Sequence, residues 1–271
     1  MLAHMRALVR GKRRAPVFRL AANLSHKYLR AYYNESFFEF QSNGEAFVIA
    51  QFARWFAGSE LRAWDVGAHD GEWALAFRAS IPSAAVTSFE IVPAIADRLR
   101  QRLPEYQGFK IETFGLSDKA GEVEVVWNQD WDTCNAIHPR LSNALFEKAS
   151  LVRVPCRVQT VDDYWRAGHA PPHFLKIDTE GHEAAVLEGG AGLLSDPAAP
   201  ALIQFEYGDT WIPGGHTLAQ VHERLSGAGY WLGRLYPNHV EFKPYQYEDE
   251  HFRMGNMIAV RDLALKALLA G

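Results

Sequence analysis

The sequence predicts an α/β protein built on a mostly parallel, doubly wound sheet. Three observations predict it. Short apolar runs alternate with helix-patterned segments from Leu61 onward, the order in which parallel sheets with helices on both faces are built. The stretch Trp64-Asp65-Val66-Gly67-Ala68-His69-Asp70-Gly71-Glu72 carries an apolar run through two glycines into a helix pattern at Trp73, Leu75, Ala76 and Phe77. Such a strand–turn–helix unit is a common ligand cradle. The next apolar run, Ala84 to Phe89, ends on an acid, Glu90, about where a second strand would present a ribose-binding carboxylate.

Residues 1–42 are expected to form a helical extension and 43–271 a single α/β domain. Met1 to Arg19 holds Arg6, Arg10, Lys12, Arg13, Arg14 and Arg19 with no acid, and lacks the apolar core of a signal peptide. It suits either a solvated, frayed terminus, the reading favoured here, or a peripheral contact with an anionic membrane. Leu20 to Asn34 reads as a helix with an apolar stripe of Tyr28, Leu29, Tyr32 and Tyr33. Asn43-Gly44-Glu45 starts a second helix, Ala46 to Phe56. Both are expected to cap the core and to wall part of a cleft.

The core elements follow in order. Strands are expected at Leu61–Val66, Ala85–Glu90 and Phe109–Leu116. Between them lie helices at Trp73–Ala79 and from near Pro93 to Leu103. Ala120-Gly121 turns the chain into an alternating segment, Glu122–Trp127, that reads as a hairpin partner of the strand before it, and Val152–Val158 alternates like a further strand. They flank an irregular stretch, Asn128–Ala149, with Asn135, His138, Arg140 and Asn143; loops of that length are often binding loops. Thr160 caps a short helix. Strands at Phe174–Ile177, Ala201–Phe205, Tyr230–Leu235 and Asn256–Val260 alternate with helices at Ala184–Leu194, Leu218–Leu225 and Leu263–Leu269. An aromatic, charged excursion spans Tyr236–Arg253.

Bulk composition narrows the function. The 271 residues are 48% hydrophobic and 22% charged, ordinary for a globular core. A formal charge of −4 argues against a nucleic-acid binder driven by global charge. No apolar run reaches the ~20 residues of a membrane span. Two cysteines, Cys134 and Cys156, make neither a disulfide framework nor a zinc site, in keeping with a reducing cytoplasm.

The glycine spacing points to a ligand. A dinucleotide fingerprint needs Gly-x-Gly-x-x-Gly, but Gly67 and Gly71 stand four apart with no glycine between. Asp65 at the strand tip would repel a pyrophosphate. An acidic tip suits S-adenosylmethionine, which carries a sulfonium, an amino group and no phosphate.

The chain resembles the FkbM-type S-adenosylmethionine-dependent methyltransferases over roughly residues 43 to 210. The matching pieces are Asp65–Gly71, Phe89-Glu90-Ile91-Val92-Pro93, Gly115-Leu116-Ser117-Asp118, Leu175–Glu183 with Val186-Leu187-Glu188-Gly189, and Ile203–Tyr207. Lys176-Ile177-Asp178-Thr179-Glu180-Gly181-His182-Glu183 is the most specific of them. The resemblance implies the class I methyltransferase, Rossmann-like fold: a seven-stranded, mostly parallel sheet with the last strand antiparallel. It implies O-methylation of a hydroxyl on a sugar, glycan or natural product. It also implies that Asp65, Gly67, His69 and Gly71 line the methionine end of the cofactor, that Glu90 takes the ribose, and that Ser117 and Asp118 approach the adenine. Asp118 also makes a good turn with Gly121.

An aliphatic hydroxyl gives up its proton reluctantly, so a base or a metal is needed. Asp178, Glu180, Glu183 and Glu206 crowd two neighbouring strand tips. In one reading Asp178 or His182 is the general base, with Asp178 also near the cofactor. In the other, Asp178 and Glu206, with Glu180, hold a divalent ion such as Mg2+ through hard oxygen ligands. The metal-free base is favoured. Glu183 reads as a helix-dipole partner, and His138 as a loop histidine that could reach the acceptor. Trp127, Trp131, Tyr207 and Trp211 could stack on a sugar or adenine face. The rival functions are a nicotinamide-dependent oxidoreductase and a non-catalytic interaction module. The first lacks its third glycine, and the second leaves the site acids unexplained.

Overall fold

In the computed structural model the described residues are 2–35, 39–58, 60–104, 108–130, 135–139 and 150–271. Strand β1 (Arg62–Val66) is buried along four of its five residues, since helices cover both faces of the sheet around it. It pairs in parallel with β2 (Ala85–Phe89) on one side, and β2 pairs with β3 (Phe109–Glu112). Beyond β3 the chain leaves the main sheet. Strands β4 (Gly115–Ser117), β5 (Gly121–Asn128) and β6 (Leu151–Thr160) form a separate three-stranded sheet in the order β4-β6-β5. The expected strand Phe109–Leu116 is thus split between two sheets. The segment expected to fold back on the strand before it, Glu122–Trp127, pairs instead with β6, in the antiparallel β5–β6 ladder.

The main sheet continues on the other side of β1 with β7 (Phe174–Ile177) and β8 (Leu202–Tyr207), both parallel. Then come β9 (Trp231–Tyr236), β10 (His239–Phe242) and β11 (Gly255–Val260), giving the order β10-β9-β11-β8-β7-β1-β2-β3. The last strand, β11, runs antiparallel to both β8 and β9, as expected. The sheet has eight strands where seven were expected. The extra one is β10: after Tyr236 the chain turns and pairs back on β9, with Val240 opposite Leu235, so the start of the Tyr236–Arg253 excursion extends the sheet.

Side chains alternate across the sheet. Trp64, Val66, Leu175, Ile177, Ile203 and Phe205 pack one core, against α6 (Val161–Arg166), α7 (Glu183–Glu188), α8 (Ala191–Ser195) and α9 (Leu218–Gly227). Ala63, Val86, Phe174 and Leu202 pack the other. There they meet α3 (Glu45–Trp55), α4 (Glu72–Ser80), α5 (Pro93–Arg102) and α10 (Leu263–Ala270). The helix expected over Ala184–Leu194 breaks into α7 and α8 at Gly189-Gly190. A side chain on Gly189 would collide with the Ser117 carbonyl oxygen, 1.9 Å from its Cβ position, so the chain must bend around that close approach.

The amino-terminal segment departs from expectation. Leu2–Lys12 is helical (α1), as is Pro16–Tyr32 (α2), with proline at the start of α2. Helix α2 buries no residue, so its apolar stripe does not cap the core. The cap on that side is α3, through Val48, Ile49 and Phe52.

Candidate active site

A cleft of about 960 Å³ opens at the carboxyl ends of β1, β2, β7 and β8, where doubly wound sheets hold ligands. Gly67, His69, Glu90, Asp178, Glu180, His182 and Glu206 all line it. Asp65, Gly71, Ser117, Asp118 and His138 do not reach its lining.

Two glycines shape the turn after β1. Gly67 has φ of 78°, and a Cβ there would lie 1.8 Å from the Asp178 carbonyl oxygen, so only glycine lets the β1 and β7 tips close together. Gly71 (φ 80°) packs tightly on Leu99 and Leu103 at the head of α4. Among the described residues, four non-glycine residues have positive φ: Asn34, His69, Glu180 and Phe252. All four line this cleft. Left-handed backbone outside glycine costs energy and gathers where function holds it in place.

Glu90 sits buried at the β2 tip. One carboxylate oxygen accepts the His69 N–H at 2.9 Å and the other the Val92 N–H at 2.9 Å. Burial still pushes its pKa above the ordinary value. Beneath the cleft, Asp65 is fully buried and faces Lys176 Nζ at 3.0 Å. The pair misses hydrogen-bond geometry, and both Asp65 carboxylate oxygens lack a hydrogen-bond donor. Lys176 also lies 3.4 Å from the Gly67 carbonyl and 3.6 Å from Asp178 Oδ2. Burial opposes its charge, but Asp65, then Asp178 and Glu45, outweigh that and hold its pKa above the usual lysine range.

Across the cleft the Asp178 side chain is 43% exposed. Glu183, fully buried next to it, clamps the intervening loop. Its carboxylate accepts the Thr179 N–H at 2.6 Å, the Thr179 hydroxyl at 3.1 Å and the Gly181 N–H at 3.1 Å. Its role is therefore larger than that of a helix-dipole partner. Burial pushes its pKa up to about 7. His182 takes the Ser117 hydroxyl as a partner at 2.9 Å through Nε2, and its Nδ1 is buried without one. Burial, then His138 and His216, depress its pKa to about 4. The His138 ring stands 5.9 Å from it. Ser117 and Asp118 hydrogen-bond each other at 3.0 Å.

Three features of the site were missed in the sequence. Glu45, at the head of α3, is held in the cleft by Asn43 Nδ2 (2.7 Å) and by Gln204 Nε2 (2.5 Å). Asn43-Gly44-Glu45 signalled a helix start, but nothing local signalled a partner on β8. Phe252 at the end of the excursion, Met254 and Asn256 just after it, and Trp73 on α4 also line the cleft. Two aromatic expectations fail: Tyr207 and Trp211 are fully buried in the core and cannot stack on a ligand. Trp131, Cys134, Arg140 and Asn143 lie outside the described residues. Among the described residues, no group of three or more His, Cys, Asp or Glu side chains is arranged to hold a metal ion.

Residues 65–232 match the methyltransferase FkbM domain. No curated protein sequence matches the chain. Among solved structures it is similar to the precorrin-6y C5,15-methyltransferase of Geobacter metallireducens (10% identity, TM-score 0.41, covering 80% of this chain and 87% of that one). It is also similar to the plantazolicin methyltransferase BpumL (10%, TM-score 0.43, 91% and 91%). A third is an rRNA methylase of Streptococcus thermophilus (10%, TM-score 0.42, 83% and 98%). The family match spans more than half of the chain and begins on the Asp65 strand tip. The chain belongs to the FkbM family of S-adenosylmethionine-dependent methyltransferases.

Proposed function

We propose that the protein methylates a hydroxyl of a sugar, glycan or natural product, with Asp178 as the base. The observation that supports this reading most is the division of one cleft. A backbone-fixed carboxylate, Glu90, stands on one side, and the partly exposed Asp178 stands with Glu180 and Glu206 on the other.

The residues on the first side fit S-adenosylmethionine. After its two N–H bonds Glu90 keeps acceptor positions for a ribose diol. Gly67 presents bare backbone, and Ile91, Leu116 and Ile137 offer an apolar slot for a base. Glu45 lines the same cleft near Lys176, with Asp65 buried beneath, which gives the floor acids suited to a cationic ligand. Bound there, the cofactor supplies an electrophilic methyl group on a positively charged sulfur.

On the second side, the chain's task is to align the acceptor oxygen and take its proton. That proton becomes strongly acidic only as the new carbon–oxygen bond forms, so a carboxylate within reach suffices. Asp178 is exposed enough to reach it. His182 is buried and its Nε2 is engaged by Ser117, so it is less available to the acceptor. Glu206, Asp209 and Asn256 would orient the acceptor. A reducing compartment such as the cytoplasm is part of this reading and agrees with the free, buried thiol of Cys156.

Calorimetric titration with S-adenosylhomocysteine, with and without magnesium and a chelator, tests both halves of this reading. Dissociation constants of about micromolar order in all conditions, followed by turnover on a sugar or glycoside panel, are expected. Turnover abolished by the chelator would reassign Asp178 and Glu206 as ligands of a divalent ion. Absence of binding in every condition would overturn the cofactor site.

A further inference from the structure

Helices α1 and α2 are unusual in this molecule because they leave their apolar side chains in solvent. Along α2, Val17, Leu20, Leu24, Tyr28 and Tyr32 recur at spacings of three and four, which places them on one helix face. Each of the five is between 58% and 66% exposed. Seventeen residues make this stripe about 25 Å long. On α1, Met5, Leu8 and Val9 are exposed in the same pattern. The segment is attached at its far end: Arg234 donates to the Tyr33 carbonyl at 2.8 Å, Asn34 donates to Asn43 and Leu235 carbonyls, and Arg253 lies 4.4 Å over the Tyr33 ring.

Charge is divided as sharply as hydrophobicity. Residues 1–34 contain eight Lys and Arg and no acid. The remaining twenty Lys and Arg face all thirty-two Asp and Glu of the chain. Arg6, Arg10 and Lys12 on α1, Arg13 and Arg14 in the turn after it, and Arg19, Lys27 and Arg30 on α2 share this segment with the stripe.

We propose that α1 and α2 dock the enzyme on an anionic lipid surface, with the α2 stripe entering the headgroup–acyl boundary and the cations meeting lipid phosphates. A lipid interface is the partner that offers an apolar layer and a dense negative charge together. A nucleic acid offers phosphates but nothing for five exposed apolar side chains in a row. A second copy of the segment would bring eight like charges against eight.

The test is cosedimentation of the full chain with vesicles of phosphatidylcholine alone, or with about one third phosphatidylglycerol. Binding to the anionic vesicles should exceed binding to the neutral ones by about tenfold or more, and should weaken as salt rises from about 0.1 to 0.5 M. The double substitution Leu20→Gln, Leu24→Gln should lower it by about tenfold or more. It should leave S-adenosylhomocysteine affinity unchanged, since neither residue borders the cleft. The charge reversal Arg13→Glu, Arg14→Glu should remove the preference for anionic vesicles. Equal binding to both vesicle types, or undiminished binding by the leucine variant, overturns the proposal. So does a concentration-dependent dimer, or RNA binding, that the same substitutions abolish when vesicles are not bound.

Discussion

At the β2 tip Glu90 is held through both oxygens by backbone N–H groups, whereas across the cleft Asp178 projects a side chain that is 43% exposed and meets Lys176 at 3.6 Å. The Glu90 side, proposed for the cofactor, is built from groups fixed in place: bare glycine backbone, a doubly anchored acid, a buried ion pair. The Asp178 side, proposed for the acceptor, carries side chains at loop ends, Glu180 and Phe252 among them, on left-handed backbone. The difference teaches where variation is tolerated. A cofactor common to a family needs one geometry, and pre-organisation serves it.

Substitutions on either side should therefore separate. The largest expected effect is on turnover: Asp178→Ala should cost about 10³-fold in kcat while changing S-adenosylhomocysteine affinity by less than about threefold. Glu90→Ala should raise the dissociation constant by about 30-fold, the loss of a buried, charge-assisted contact. Equal losses of affinity in the two variants would erase the division between the halves. Next comes Gly67→Ala, which strains a φ of 78° and drives a methyl into the Asp178 carbonyl. It should destabilise the fold by about 3 kcal/mol, read as a fall in Tm, and should weaken cofactor binding as well. A stable variant that binds normally would mean the β1 and β7 tips can part.

The smallest effect is a pH dependence on the acceptor side. The folded-state pKa of His182, about 4, lies below the unfolded value of about 6.5. Its contribution is therefore present above pH 6.5 and lost as pH falls toward 4. Glu183 acts in the opposite sense: its raised pKa, about 7, favours the fold at low pH and is lost between about 4.5 and 7. Comparing Tm against pH for the unaltered chain and His182→Gln isolates the histidine. Parallel curves between pH 6.5 and 4 would show that its burial is not coupled to folding.

The main-sheet elements and the glycine turn were legible because each is written in local sequence: an apolar run, a turn residue, a helix period. Glu90 was legible for the same reason, as the acid that ends a strand. Asp65 was legible as a strand-tip acid, but not as a group lying beneath the cleft, since its partner Lys176 stands on β7, six strands later in the chain. Glu45 was not legible as a site residue because its partner, Gln204, is 159 positions away. The stripe on α2 read as core because an amphipathic pattern states that a face is apolar, not what covers it. Strand β10 was missed because aromatic and charged residues, Glu241 and Phe242 among them, obscure a short edge strand.

The unequal division of charge along the chain has a consequence on an ion-exchange column. A protein with a pI of about 6.3 and an even surface would pass a cation exchanger at about pH 8 and bind only an anion exchanger. Here the cations project on two exposed helices while the acidic excess is spread over the rest of the molecule. The same sample should then be retained by both resins at one pH. Its isoelectric point averages two surfaces of opposite sign and describes neither.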